Sequence, residues 1–126
     1  MASAFSLSPC KLVEFADCEV QLGELETRWR SSGDGARGTV LMLHSLGLNR
    51  LAFDPLRLVL DPQWRVISFD QYAHGAAAGQ TIFSLRDCVD AVLAAVSRCD
   101  GQPLHLVGHS MGGAIAALAA AEATAK

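Results

Sequence analysis

Three features of the sequence predict an α/β fold, a mostly parallel sheet with helices on both faces. Short, continuous apolar runs recur along the chain, amphipathic segments with helix start and stop signals stand between them, and the last run leads through a Gly-x-Ser-x-Gly turn into an alanine-rich stretch. The 126 residues, 51% of them hydrophobic, suit one domain with its own core. Residues 1–126 are therefore read as one unit, with 1–18 as an irregular N-terminal segment.

The elements follow in chain order. Val20, Leu22, Leu25, Thr27 and Trp29 alternate with polar neighbours around Gly23-Glu24, the pattern of a hairpin of half-buried strands. Ser31-Ser32-Gly33-Asp34-Gly35 reads as a loop. Thr39-Val40-Leu41-Met42-Leu43 is continuous and apolar, as a strand covered on both faces must be, and Arg65–Phe69 and Leu104–Val107 read the same way. Between them, Asp54 with Pro55 marks a helix start, as N-cap and first helical residue, with Leu56, Val59 and Leu60 as its apolar face. Ser84 and Asp87 have capping-box spacing ahead of a stripe of Leu85, Val89, Val92, Leu93 and Val96, which Gly101 and Pro103 end. From Met111 the chain is dominated by alanine, the strongest helix former, with Ile115 and Leu118 as its larger packing residues.

Composition excludes several classes. A net charge of −3 provides no basic field for nucleic acid or an anionic membrane, so neither is expected as a partner. With 18% charged residues the chain is not a disordered tail. Met1–Pro9 has neither a basic start nor a long apolar run, so a cytoplasmic location is the default expectation. Cys10, Cys18, Cys88 and Cys99 form no C-x-x-C pair and read as reduced thiols, small buried hydrophobes. No metal-binding or phosphate-binding motif is present, and no cofactor is implied.

The chemistry concentrates at Gly108-His109-Ser110-Met111-Gly112. A nucleophilic serine must protrude from the end of a sheet on a sharp strand-to-helix turn, which forces a strained backbone and brings neighbouring segments very close. Glycine at 108 and 112 removes the side chains that would collide. The helix that follows aims its unpaired N–H groups toward the reacting oxygen, with the Met111 N–H as one oxyanion donor. The competing reading makes Ser110 a plain helix cap in an ordinary turn.

Three blocks of sequence resemble an α/β-hydrolase of the esterase, lipase and lactonase type, N-terminal portion only. Leu41-Met42-Leu43-His44-Ser45-Leu46-Gly47 is similar to the strand that ends in the family's His-Gly oxyanion loop, and Phe69-Asp70-Gln71-Tyr72-Ala73-His74-Gly75 to its Asp-x-Arg-Gly-His-Gly turn. Ser110-Met111-Gly112-Gly113 continues the nucleophile elbow. His-Ser-Leu-Gly followed by Asp54-Pro55 looks like the enol-lactonase variant. Ser45, Tyr72 and Ala73 replace the family's usual glycine, arginine and glycine. The resemblance implies Leu46 N–H as the second oxyanion donor. It also implies loop-shaping roles for His44, Gly47, Asp70, His74 and Gly113.

The catalytic base and acid are not evident. His44 and His74 read as loop organisers, His105 as a packed strand residue, and His109 as a neighbour whose side chain diverges from Ser110. In the family the acid and then the histidine follow the serine along the chain, whereas only Glu122 and no histidine follow Gly112 here. The expectation is thus an α/β-hydrolase cut off after its nucleophile helix, acting on a small-molecule ester, lactone or thioester. An acyltransferase and a non-catalytic binding or assembly protein are the alternatives. The strand carrying Ser110 is expected to be an open sheet edge, with self-association through it.

Overall fold

The computed structural model describes residues 14–99 and 103–124. Among them, one five-stranded sheet has the order β1-β2-β4-β3-β5. β1 (Ala16–Leu22) and β2 (Leu25–Ser32) form the expected hairpin, with Leu22 opposite Leu25 across Gly23-Glu24. β2 then pairs antiparallel with β4 (Trp64–Phe69). β3 (Gly38–Leu43) lies between β4 and β5 (Leu104–Gly108) and runs parallel to both.

Both faces of the sheet carry helices, and the period of two along β3 divides its side chains between two cores. Leu41 and Leu43 join Leu25, Trp29, Ile67 and Phe69 beneath α2 (Leu85–Ser97) and α3 (Met111–Thr124). Met42 packs on the other face with Val66 and Phe53, beside α1 (Asp54–Val59). The Ser84 capping box is formed with both of its hydrogen bonds, and Val89 and Val92 are buried. Leu85 is not; Ala91 and Ala95 take its place in the core because α2 faces α3 as well as the sheet. On α3, Ile115 is buried and Leu118 is exposed.

Several expectations are corrected. β1 starts at Ala16, inside the segment read as irregular, and residues 1–13 lie outside the described ones. Ser31 and Ser32 belong to β2, because the strand is prolonged by pairing with Ile67 and Val66. Asp54 does not cap α1: a 3-10 turn, Arg50–Phe53, capped by the Asn49 side chain, runs directly into the helix. Nor does Leu56 or Val59 form a buried face; both are exposed, and α1 buries Arg57. That guanidinium donates under the helix to the carbonyls of Val66 (2.6 Å) and Arg30 (3.0 Å) and to the hydroxyls of Ser32 and Ser68, while its buried Nε makes no hydrogen bond and lies 3.2 Å from Asp54 Oδ1. Burial pushes its pKa down to about 10, against the opposing effect of Asp54.

β5 is not covered on both faces. His105 and Val107 are exposed, and His105 meets only the edge of Trp64 in a ring contact at 5.5 Å. β5 is also an edge of the sheet among the described residues, as expected. Cys99 is buried and its thiol donates to the Ala95 carbonyl, whereas Cys18 is exposed and Cys88 half-buried. Cys10 lies outside the described residues, as does Gly101. No described helix is long and apolar enough to cross a membrane.

Candidate active site

The three sequence blocks converge because parallel strands deliver their carboxyl ends to one side of the sheet, where open α/β sheets hold their ligands. β3 ends at the His44 loop, β4 at the Asp70 turn and β5 at the serine turn.

At the serine turn, Ser110 has φ +55°, one of two non-glycine residues with positive φ among the described ones. A β-carbon on Gly108 would lie 2.3 Å from the Gly112 carbonyl oxygen. One on Gly112 would lie 2.2 Å from the Leu43 oxygen and 2.7 Å from that of His44. Neither position admits a side chain without a backbone shift. Gly113 is less constrained, at 3.3 Å from the Gly108 oxygen; its N–H closes the first helical turn on the Ser110 carbonyl (2.8 Å). His109 N–H donates to the Leu43 carbonyl (3.0 Å) and ties the turn to the end of β3. Ser110 is exposed, and its hydroxyl has no hydrogen-bond partner among the described residues.

His44 is fully buried and engaged at both ring nitrogens. Nδ1–H donates to the Ser45 carbonyl (2.9 Å), and Nε2 accepts from the Gln71 backbone N–H (3.0 Å). Gln71 returns a bond from its amide nitrogen to the His44 carbonyl (2.7 Å). Burial is the main force lowering the His44 pKa; neighbouring His74 also lowers it, while the Ser45 carbonyl and Asp70 oppose. Neutral His44 is therefore the form the fold holds. Its contribution to stability is fully present above 6.5 and is lost as the pH falls below that value, where the unfolded chain binds a proton that the folded chain refuses. The urea midpoint is expected to drop between about pH 7.5 and pH 5.5, and to drop less in His44→Gln.

In the loop after β3, Leu48 N–H donates to the Ser45 carbonyl (3.1 Å) and closes a turn with Gly47 at φ +86°. Gly47 N–H is taken by His74 Nε2 (2.9 Å), and His74 Nδ1–H donates to the Tyr72 carbonyl (2.8 Å). Leu46 N–H has no acceptor among the described residues. Met111 N–H opens a helix, where geometry offers no intrahelical acceptor.

Asp70 is buried and fully engaged. Oδ1 accepts from Arg50 N–H (2.6 Å), and Oδ2 from Arg50 Nη1 (2.6 Å) and Ala76 N–H (2.8 Å). It welds the Arg50 turn to the His74 turn and is not a free acid. In the latter turn Ala73 sits at φ +68°, where an L-residue costs about 1–2 kcal/mol. Ala73→Gly is expected to stabilise the chain by about 0.5–1 kcal/mol after the entropy cost of glycine, read as a higher urea midpoint. Tyr72, in place of the family's arginine, is buried and stacked on Phe83 at 5.1 Å. Arg50 and Gln71 carry no motif signal, and the sequence reading missed both.

Among the described residues no histidine is hydrogen-bonded to the Ser110 hydroxyl. His44 and His74 have both ring nitrogens committed, and the His105 ring meets Trp64. His109 is exposed beside the turn.

The model of the alpha/beta hydrolase family matches residues 40–125, which contain all three loops. The chain belongs to the α/β-hydrolase family. This α/β-hydrolase chain is 34% identical over 94 residues, 75% of its length, to a pimeloyl-[acyl-carrier protein] methyl ester esterase of Neisseria meningitidis serogroup C, and 34% identical over 92 residues, 73% of its length, to the serogroup A protein of the same description. It spans only 35% and 28% of those relatives. Among solved structures it is similar to a thioesterase domain from the curacin biosynthetic pathway (25% identity, TM-score 0.76, covering 86% of this chain and 40% of that one). A Vigna radiata epoxide hydrolase mutant, at 18% identity and TM-score 0.75, covers 88% of this chain and 36% of its own and shares the fold.

Proposed function

We propose that Ser110 is the nucleophile of an esterase or thioesterase that works through an acyl-serine intermediate. The observation that carries this reading is the elbow: an exposed serine at φ +55° with an unpartnered hydroxyl, on a turn whose glycines admit no β-carbon. Such strain persists only where the surroundings impose it, and a helix cap has no need of it. The esterase descriptions of the curated relatives and the thioesterase neighbour support an ester or thioester carbonyl as the target.

In the first step Ser110 Oγ bonds to the carbonyl carbon, the carbonyl π electrons move onto oxygen, and a base takes the hydroxyl proton. The tetrahedral oxyanion is held by the N–H groups of Leu46 and Met111, each worth about 2.7–4 kcal/mol. Its collapse expels the alcohol or thiol, which takes up the proton, and water then releases the acid by the same route. No described side chain supplies the base or the acid, so turnover by these 126 residues is expected to stay near the uncatalysed background.

A serine-directed phosphonate tests the nucleophile without requiring turnover. Slow formation of a single adduct, mapped to Ser110 by peptide mass, is expected, with at least about a tenfold loss in Ser110→Ala. Equal labelling of the two proteins would overturn the reading.

A further inference from the structure

We propose that His74 is a positioning residue for the oxyanion loop: its neutral ring clamps Gly47 N–H, and its protonation releases the turn that presents the Leu46 amide. The inference rests on the reading of Ser110 as nucleophile and adds a proton-dependent control of that same site.

The tautomer follows from the partners. The Tyr72 carbonyl can only accept, so His74 Nδ1 carries the proton and Nε2 offers its lone pair to Gly47 N–H. Ser45 to Leu48 is a four-residue turn closed by the Leu48 N–H, with positive φ at its third residue. Turns of that type interconvert with the commoner type by a flip of the central peptide, here Leu46–Gly47. A β-carbon on Gly47 would meet nothing within 4 Å, and the bond to His74 is the contact that fixes the Gly47 N–H. It also removes Gly47 N–H from the pool of substrate donors and leaves Leu46 N–H as the open one.

A proton on Nε2 turns the acceptor into a donor. Two N–H groups then face each other, and the peptide flip that relieves this directs the Leu46 carbonyl toward the ring. The titratable and charged groups of the adjoining loop and turn are His44, Asp70 and Arg50. His44 stands across from His74 at 5.0 Å between ring centroids and is itself held neutral. Asp70, in the same turn, has its carboxylate committed to Arg50 and to Ala76 N–H.

The test uses the full ¹⁵N-labelled chain, following the His74 ring signals and the exchange protection of the Gly47 amide across pH, with phosphonate labelling of Ser110 in parallel. Gly47 protection is expected to fall about tenfold over the pH range in which the His74 ring titrates, the factor for losing one net hydrogen bond. His74→Gln, whose amide oxygen accepts but does not protonate there, keeps Gly47 protected throughout, and His74→Ala leaves it exposed at every pH. Ser110 labelling in the unmodified chain follows Gly47. Protection that does not move as His74 titrates overturns the proposal, and needs no variant to fold; so does identical behaviour of the Gln and Ala variants. Coupling of Gly47 to His74 with no adduct at Ser110 at any pH would leave the clamp standing and sink the nucleophile reading instead.

Discussion

Gly112→Ala is expected to destabilise the chain by about 4 kcal/mol, at the severe end for a single methyl group and comparable with the whole stability of a small domain. The three atoms nearest the added carbon are all backbone: the Leu43 oxygen at 2.2 Å, the Leu43 carbon at 2.6 Å and the His44 oxygen at 2.7 Å. They cannot give way, because β3 is hydrogen-bonded on one side to β4 and on the other to β5. The relief must come from α3 lifting off the sheet, which unpacks Ile115, Ala116 and Ala119 from the core. Gly113→Ala is the matched control. Its β-carbon meets the Gly108 oxygen at 3.3 Å, a contact that a few tenths of an ångström relieve, so a change below about 1 kcal/mol is expected. Urea unfolding of the two variants reads the difference, and equal midpoints would mean that α3 is not seated against β3 as described.

Asp70→Ala carries the second large effect. The carboxylate is fully buried, and its removal strips Arg50, 16% exposed at its side chain, of the partner at 2.6 Å while leaving the Arg50 and Ala76 amides without an acceptor. Breaking a buried pair by deleting one member costs about 3–5 kcal/mol, and the lower end of that range is expected here because Arg50 keeps Asp17 at 3.5 Å. Gly75 sets the same constraint from the other side, since a β-carbon there would lie 2.3 Å from Asp70 Oδ2. Removing both charges, as Asp70→Asn with Arg50→Met, is expected to recover part of the loss. A double variant no more stable than Asp70→Ala would show that the stranded Arg50 charge is not what makes the loss large.

Much of the fold was legible because local signals and the global architecture agree. The continuous apolar runs of β3 and β4 need cover on both faces, and they have it; the hairpin alternation around Gly23-Glu24 and the Ser84 capping box are local patterns that no tertiary contact contradicts. Where the reading failed, a distant partner had overruled the local pattern. Leu56 and Val59 have helical spacing and yet lie outside, because the space beneath α1 is taken by Arg57, drawn inward by the carbonyls of Val66 and Arg30. Leu104–Val107 reads as a strand covered on both faces, but His105 and Val107 are exposed on the edge strand that the sequence leads one to expect.

The order of strands and helices, the serine turn with its two obligatory glycines, and the family itself lay in the sequence alone, because each depends on residues close together in the chain, whose spacing encodes their geometry. The state of the histidines did not. His44 and His74 read as loop organisers only through the family resemblance, and it is their partners 27 residues away, Gln71 for one and Gly47 for the other, that show all four ring nitrogens spent on holding loops. A ring's protonation and role are set by what surrounds it in space, and that neighbourhood exists only once β3, β4 and β5 lie side by side.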